Sequence, residues 1–197
     1  MESNDNINPV THLSNHVKEV IAGARKFENI YQSLTRLILG SKDELKKVNI
    51  NGKSTFDFQV FRNGEKHIVG MHDELNSFVS YIKDAAEGGS SKEMSFVLIG
   101  EPGNGKTFFV DYLSALYRNF ISIPENNRFT FQFKNLDKLE KYGQLNRIES
   151  QTFEDPMILA MNLFDTKSAN IDHLQKMGAS DDDITNFYSN YRPLGAC

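Results

Sequence analysis

The sequence feature that most constrains this chain is a glycine-rich loop of eight residues, Gly100-Glu101-Pro102-Gly103-Asn104-Gly105-Lys106-Thr107. It fits the pattern G-x-x-x-x-G-K-[ST], and it follows an apolar run, Met94–Ile99, that has the length of a buried β-strand. Beyond the loop, apolar residues recur at helical spacing, at Phe109, Leu113, Leu116 and Phe120. A strand before such a loop and a helix after it are the context in which the loop holds phosphate groups. The sequence therefore predicts a nucleotide site at residues 100–107.

Each residue type in the loop has a chemical reason to be there. Glycines allow backbone conformations that are closed to other residues, so that successive N–H groups turn inward around the α- and β-phosphates. Lys106 is placed to reach the β- and γ-phosphates, and the Thr107 hydroxyl to ligate Mg²⁺. A plain glycine turn between a strand and a helix is the alternative, but it requires neither lysine nor threonine. The predicted nucleotide-binding residues of the loop are Gly100, Gly103, Asn104, Gly105, Lys106 and Thr107, with Thr107 also the predicted metal ligand.

The segments around the loop predict an α/β fold. The run Met94–Ile99 leaves little room for an exposed face, as expected of a central parallel strand. Phe129, Phe131 and Phe133 alternate with polar residues and predict a second strand after the helix. The order of strand, helix and strand is that of a βαβ unit. We therefore expect an αβα sandwich with a parallel central sheet, preceded by N-terminal helices.

Other parts of the chain are predicted in less detail. An apolar stripe from Leu13 to Ile38 indicates either one helix or a helix pair broken near Gly23. A stripe from Leu75 to Ala86 indicates one helix of about 15 residues, and Phe56, Phe58 and Val60 suggest a short strand. After Lys134 we expect a short helix in 136–145, an apolar segment in 156–164 and a last helix that begins near Asp181. The predicted division is an N-terminal helical segment, 1–55, and a nucleotide-binding domain, 56–197.

Composition limits the classes of partner and the compartment. The chain has 22 basic and 26 acidic residues, a net charge of -4 that offers no electrostatic footprint for nucleic acid. Its single cysteine excludes an intrachain disulfide and suits a reducing compartment. No stretch reaches the roughly 18 apolar residues that cross a bilayer. We expect a cytoplasmic protein that does not bind nucleic acid or membranes.

The loop, with proline and glycine at its third and fourth positions, resembles that of AAA+ ATPases, a class of P-loop NTPases. In these proteins an apolar segment with a glycine, about 30 residues upstream, contacts adenine. The resemblance implies ATP as the nucleotide and Val69 and Gly70 as adenine contacts, although Ile68 and Val69 also suit a core. The second acidic motif expected downstream is not found. The nearest candidate is Met161–Asp165, which we interpret as a loop or helix end, so the chain is expected to be truncated.

A wider set of motifs resembles the PrkA-type serine protein kinases, whose N-terminal part is an AAA+ module. The set includes Phe56-Asp57-Phe58, Val69-Gly70-Met71-His72-Asp73-Glu74, the phosphate loop, Glu154-Asp155-Pro156 and Leu163-Phe164-Asp165. The resemblance implies an ATP-dependent serine/threonine protein kinase with a protein substrate, and it assigns no catalytic residue in this chain. The loop departs from the form Gly-Pro-Val-Gly-Gly-Gly-Lys-Ser that many members have. An ATP-driven remodeller or protease component and a fragment that only binds ATP remain open as alternative functions. Association of the chain into a homo-oligomer also remains open.

Overall fold

Helices dominate the computed structural model, which describes residues 10–40, 46–50, 52–62, 68, 70–139, 141 and 146–190. The described helices are α1 (Leu13–Ile21), α2 (Ile30–Leu39), α3 (His72–Ala86), α4 (Lys106–Ile121), α5 (Pro156–Met161), α6 (Lys167–Lys176) and α7 (Asp181–Asn190). The described strands are β1 (Lys46–Ile50), β2 (Lys53–Asp57), β3 (Gln132–Lys134) and β4 (Arg147–Glu149). They form two antiparallel pairs, β1 with β2 and β3 with β4.

The N-terminal apolar stripe forms two helices. Helix α1 ends before Gly23, whose φ of 74° lies in the left-handed region that glycine adopts without strain. Helix α2 then begins with a capping box: the Asn29 side chain accepts the Gln32 N–H, and the Gln32 side chain accepts the Asn29 N–H, both at 2.9 Å. Of the two alternatives for this stripe, the helix pair is therefore confirmed.

The apolar run Met94–Ile99 is not a strand, and its prediction as the central strand of a sheet is wrong. Within the described part of the chain, the backbone of residues 95–99 makes no hydrogen bond. Val97 is 68% exposed and Ile99 is 91% exposed, whereas Phe96 and Leu98 pack against the core. A buried parallel strand requires a paired strand on each side. The described residues supply neither, so the run stays unpaired.

The second predicted strand is also largely wrong. Only residues 132–134 of the region 129–134 form β3, and their partner is β4, with Phe133 opposite Ile148. The pairing is antiparallel and within one short stretch of chain, so it needs no crossover helix. Among the described residues no strand pairs in parallel, and the predicted P-loop NTPase αβα sandwich is overturned by this mostly helical architecture. The helix expected in 136–145 is a 3-10 turn, Leu136–Lys138, in the described part.

The chain divides into two compact units. The central unit comprises residues 28–123, and the terminal unit comprises the described residues of 1–27 and 124–191. The core of the central unit is Ile38, Phe58, Phe61, Ile68, Leu75, Phe78, Val79, Ile82 and Phe109. The core of the terminal unit is Val17, Val20, Met157, Ala160, Met161, Leu174 and Ile184. Burial of these two sets supplies the main favourable term for folding each unit.

In the terminal unit, a polar pair of the buried His16 and the half-buried Asp155 joins α1 to α5. The His16 Nε2 lies 3.3 Å from the Asp155 Oδ1, and the same carboxylate oxygen accepts the Met157 N–H at 2.9 Å, which caps α5. The Arg25 guanidinium lies 4.1 Å from the centroid of the Phe129 ring. Asp155 therefore has a structural role, because it caps one helix and fixes a side chain of another.

A helix that crosses a bilayer must be both long and apolar. None of the described helices combines the length with the hydrophobicity that such a crossing requires.

Candidate functional site

The glycine-rich loop precedes α4 in the central unit, and two of its glycines set its shape. Gly103 has a φ of 88° and Gly105 a φ of 73°, both in the left-handed region. Between them the Asn104 N–H donates to the Glu101 carbonyl at 3.3 Å, which closes a tight turn. A residue with a Cβ is strained by about 1–2 kcal/mol at such a φ. The two glycines are therefore required by the backbone of this loop.

The N-terminus of α4 has no side-chain cap. Gly105 occupies the N-cap position, no side chain bonds to the first-turn N–H groups, and the first turn contains no acidic residue. The intrahelical ladder begins with the Phe109 N–H, which donates to the Gly105 carbonyl at 2.8 Å. The N–H groups of the first helical positions therefore remain as donors, with the positive end of the helix dipole behind them. This arrangement favours an anion.

Lys106 folds back over the loop. Its Nζ donates hydrogen bonds of 2.7 Å to the Gly100 carbonyl and of 2.7 Å to the Glu101 carbonyl. An ammonium has three N–H donors, so these two bonds leave one donor for another acceptor. The cation is thus held directly beside the turn that the glycines form, at the start of a helix whose first turn carries no carboxylate.

Helix α4 is anchored directly behind the loop by Phe109. This side chain is 4% exposed, and its ring centroid lies 5.2 Å from that of Phe78 and 6.2 Å from that of Phe61. One turn further on, the Tyr112 hydroxyl donates to the Val60 carbonyl at 3.2 Å, and burial raises the pKa of Tyr112. The loop is therefore mounted on a helix whose first turn is fixed in the core of the central unit.

The segment predicted to contact adenine is only partly described. Val69 lies outside the described residues. Gly70 is exposed with a φ of 81°, two residues before α3. Ile68 is buried, donates its N–H to the Phe61 carbonyl at 2.9 Å and belongs to the same core cluster as Phe109. Ile68 is therefore a core residue, and the segment that carries Gly70 shares its anchoring cluster with α4.

The predicted metal ligand, Thr107, and the acidic residue of the nearest candidate for the second acidic motif, Asp165, belong to different units of the chain. Thr107 is exposed in the first turn of α4, in the central unit. Asp165 is exposed in the bend between α5 and α6, in the terminal unit, and the next residue, Thr166, caps α6 by accepting the Ala169 N–H at 3.2 Å. The described residues contain no group of three or more His, Cys, Asp or Glu side chains that could hold a metal ion. A metal ion held by Thr107 would therefore need further oxygens, such as those of a bound phosphate.

Comparison of the chain with protein-family models, with curated proteins and with solved structures gives no match. The geometry of the loop and its helix is therefore the basis for a functional assignment.

Proposed function

We propose that this chain binds ATP with Mg²⁺ through the loop at residues 100–107. The observation that carries the proposal is the uncapped N-terminus of α4, which follows two left-handed glycines and begins with Lys106. Backbone donors, a helix dipole and a lysine ammonium converge at this one place. Nothing in the first turn of α4 offers a negative charge that would compete with phosphate.

The residues have distinct roles in the proposed complex. The N–H groups of the loop and of the first turn of α4 donate to phosphate oxygens. Lys106 exchanges its bonds to the Gly100 and Glu101 carbonyls for bonds to the β- and γ-phosphates. The Thr107 hydroxyl contributes one oxygen to the coordination of Mg²⁺. Gly70 and Val69 are retained in the proposal as the adenine contacts that the sequence resemblance implies.

The activity that we propose for the protein is transfer of the γ-phosphate to serine or threonine of a protein substrate, as in the PrkA-type kinases. Its support is the set of sequence motifs that this chain shares with that family. One motif proves to be structural: Phe58 is buried, and the Asp57 carboxylate pairs with the Arg62 Nε at 2.7 Å. The test incubates this protein with γ-labelled ATP and a protein extract. Transfer of the label to protein would support a kinase, whereas release of free phosphate alone would favour a remodeller.

Titration calorimetry with ATP and Mg²⁺ tests the binding proposal. A charge-assisted hydrogen bond contributes about 1.5–3 kcal/mol, so Lys106→Ala should weaken ATP affinity roughly tenfold to a hundredfold. The matched control is Lys83→Ala. Lys83 is an exposed lysine on α3, and its Nζ lies 3.9 Å from the Glu87 Oε1. This control should bind ATP as the wild type does. Equal affinity of Lys106→Ala and the wild type would refute the assignment of the loop.

A further inference from the structure

A shallow, open polar groove of about 670 Å³ lies between the edge of β2 and one face of α3, in the central unit. Hydroxyl, amide and carboxylate groups line the groove, and neither the phosphate loop nor the segment around Gly70 contributes to its lining. They include the side chains of Ser54, Asp73, Asn76, Ser77, Ser80 and Asp84. A molecule bound in this groove would therefore be recognised by hydrogen bonds and charge.

The side chain of Asn76 already pairs with the edge of β2 as a neighbouring strand would. Its Nδ2 donates to the Phe56 carbonyl at 3.0 Å, and its Oδ1 accepts the Phe56 N–H at 3.2 Å. Both backbone groups of Phe56 thus point away from β1 and towards α3. This edge of β2 can therefore form hydrogen bonds with an amide group that lies beside it.

The register of the hairpin places Ser54 on the same edge. In the antiparallel pair, Lys47 lies opposite Phe56 and Asn49 lies opposite Ser54. Hydrogen-bonded and non-hydrogen-bonded pairs alternate along such a ladder, so Ser54, two residues from Phe56, also directs its N–H and carbonyl outward. No described residue bonds to these two groups. The groove therefore has one unused site for strand pairing, next to the one that Asn76 fills.

The charges of the groove are unequal at its two ends. At one end the Asp73 carboxylate lies 3.8 Å from the Lys53 Nζ. At the other end Asp84 has no cationic partner among the described residues, and its Oδ2 accepts the Ser91 N–H at 2.9 Å. Bonds from the Ser91 side chain and backbone lower the pKa of Asp84, which keeps it ionised. An unbalanced negative charge remains at this end.

We propose that this groove binds an extended peptide segment, which adds to the edge of β2 at Ser54 and places a basic side chain near Asp84. Asp73 and Asp84 are eleven residues apart on α3, roughly 16 Å at the helical rise, which accommodates about five extended residues. Backbone pairing supplies the affinity, and the carboxylate supplies the preference for a basic peptide. The site is independent of the proposed nucleotide function.

The test uses two blocked pentapeptides, Arg-Val-Thr-Val-Arg and Glu-Val-Thr-Val-Glu, titrated into the full chain and followed by backbone amide chemical shifts. The arginine peptide should give saturable shifts at residues 53–55 and in α3, and the glutamate peptide should bind at least several-fold more weakly. Ser54→Pro removes the outward N–H and should weaken binding by up to roughly tenfold, whereas Ser54→Ala retains that N–H and should not. If Ser54→Pro fails to fold, Asp84→Asn provides the second variant, with an expected loss of roughly twofold to fivefold for the arginine peptide.

The proposal is overturned by any of three results. The first is an arginine peptide that binds the wild type more weakly than about 1 mM. The second is equal binding of the two peptides. The third is equal binding by the wild type and by folded Ser54→Pro, which would exclude pairing at that edge.

Discussion

Replacement of Ile99 by alanine tests the most consequential feature of the fold, the unpaired apolar run before the glycine-rich loop. Ile99 is 91% exposed, and its backbone makes no hydrogen bond within the described residues. A strand at the centre of a parallel sheet would bury the same side chain completely. The two arrangements therefore predict different free energies of unfolding for Ile99→Ala.

The expected magnitude depends on the exposed fraction. Complete burial of an isoleucine side chain contributes about 1.5–3 kcal/mol, so a side chain with a tenth of its surface covered contributes about 0.3 kcal/mol. Ile99→Ala should thus lower the free energy of unfolding by less than about 0.5 kcal/mol. In a buried strand, the lost contacts and the cavity would together cost about 2–5 kcal/mol.

Urea unfolding provides the measurement, followed by far-ultraviolet circular dichroism and by tyrosine fluorescence. The chain has no tryptophan, and the tyrosines at 31, 81, 112 and 117 belong to the central unit. Phe109→Ala is the positive control, because its ring is buried against Phe61 and Phe78 and its truncation should cost about 3–5 kcal/mol. An unchanged slope with urea concentration would show that both variants unfold from equally compact states.

A loss of about 2 kcal/mol or more for Ile99→Ala, comparable with that of Phe109→Ala, would refute the reasoning. It would mean that residue 99 is covered in the folded protein, as the sequence pattern predicted. A small loss for Ile99→Ala beside a large one for Phe109→Ala would support the exposed, unpaired run.

Two further predictions concern the central unit. Asn29→Ala removes the side-chain half of the capping box on α2 and should cost about 0.5–2 kcal/mol in the same urea assay, while Asn29→Asp should retain most of the stability. Hydrogen bonds from Ser91 lower the pKa of Asp84, so its ionised form contributes stability above the unfolded pKa of about 3.9, and that contribution is lost as the pH falls through the lower folded pKa. The melting temperature of Asp84→Asn should therefore fall less steeply than that of the wild type over this acid range; parallel curves for the two proteins would contradict the prediction.

Two helices of the central unit, α3 and α4, were predicted well from local spacing. The stripe from Leu75 to Ala86 predicted a helix of about 15 residues, and α3 has 15. The spacing of apolar residues after the loop predicted a helix that includes Phe109 and Phe120, and α4 contains both. Helical hydrogen bonds join residues four apart, so the sequence of one short segment contains both partners of each bond.

Part of the candidate site was predicted for the same reason. The need for glycine at 103 and 105 is local, because a left-handed φ depends on the residue itself. The contacts of the Lys106 Nζ with two loop carbonyls, and the anchoring of Phe109 among aromatic rings, were not predicted. No sequence signal indicated the groove either, because it depends on the approach of Asn76 to Phe56, twenty residues away.

The sequence by itself determined helices α3 and α4 and the glycine-rich loop, since each of these depends on neighbours a few residues away. Only the tertiary structure decided the strands. An apolar run such as Met94–Ile99 has the composition of a buried strand, but a strand exists only where another strand satisfies its N–H and carbonyl groups. In the described residues β3 pairs with β4, and residues 95–99 pair with nothing. Strand pairing depends on a partner outside the run itself, so the same run of residues is a buried strand in one tertiary context and an exposed segment in another.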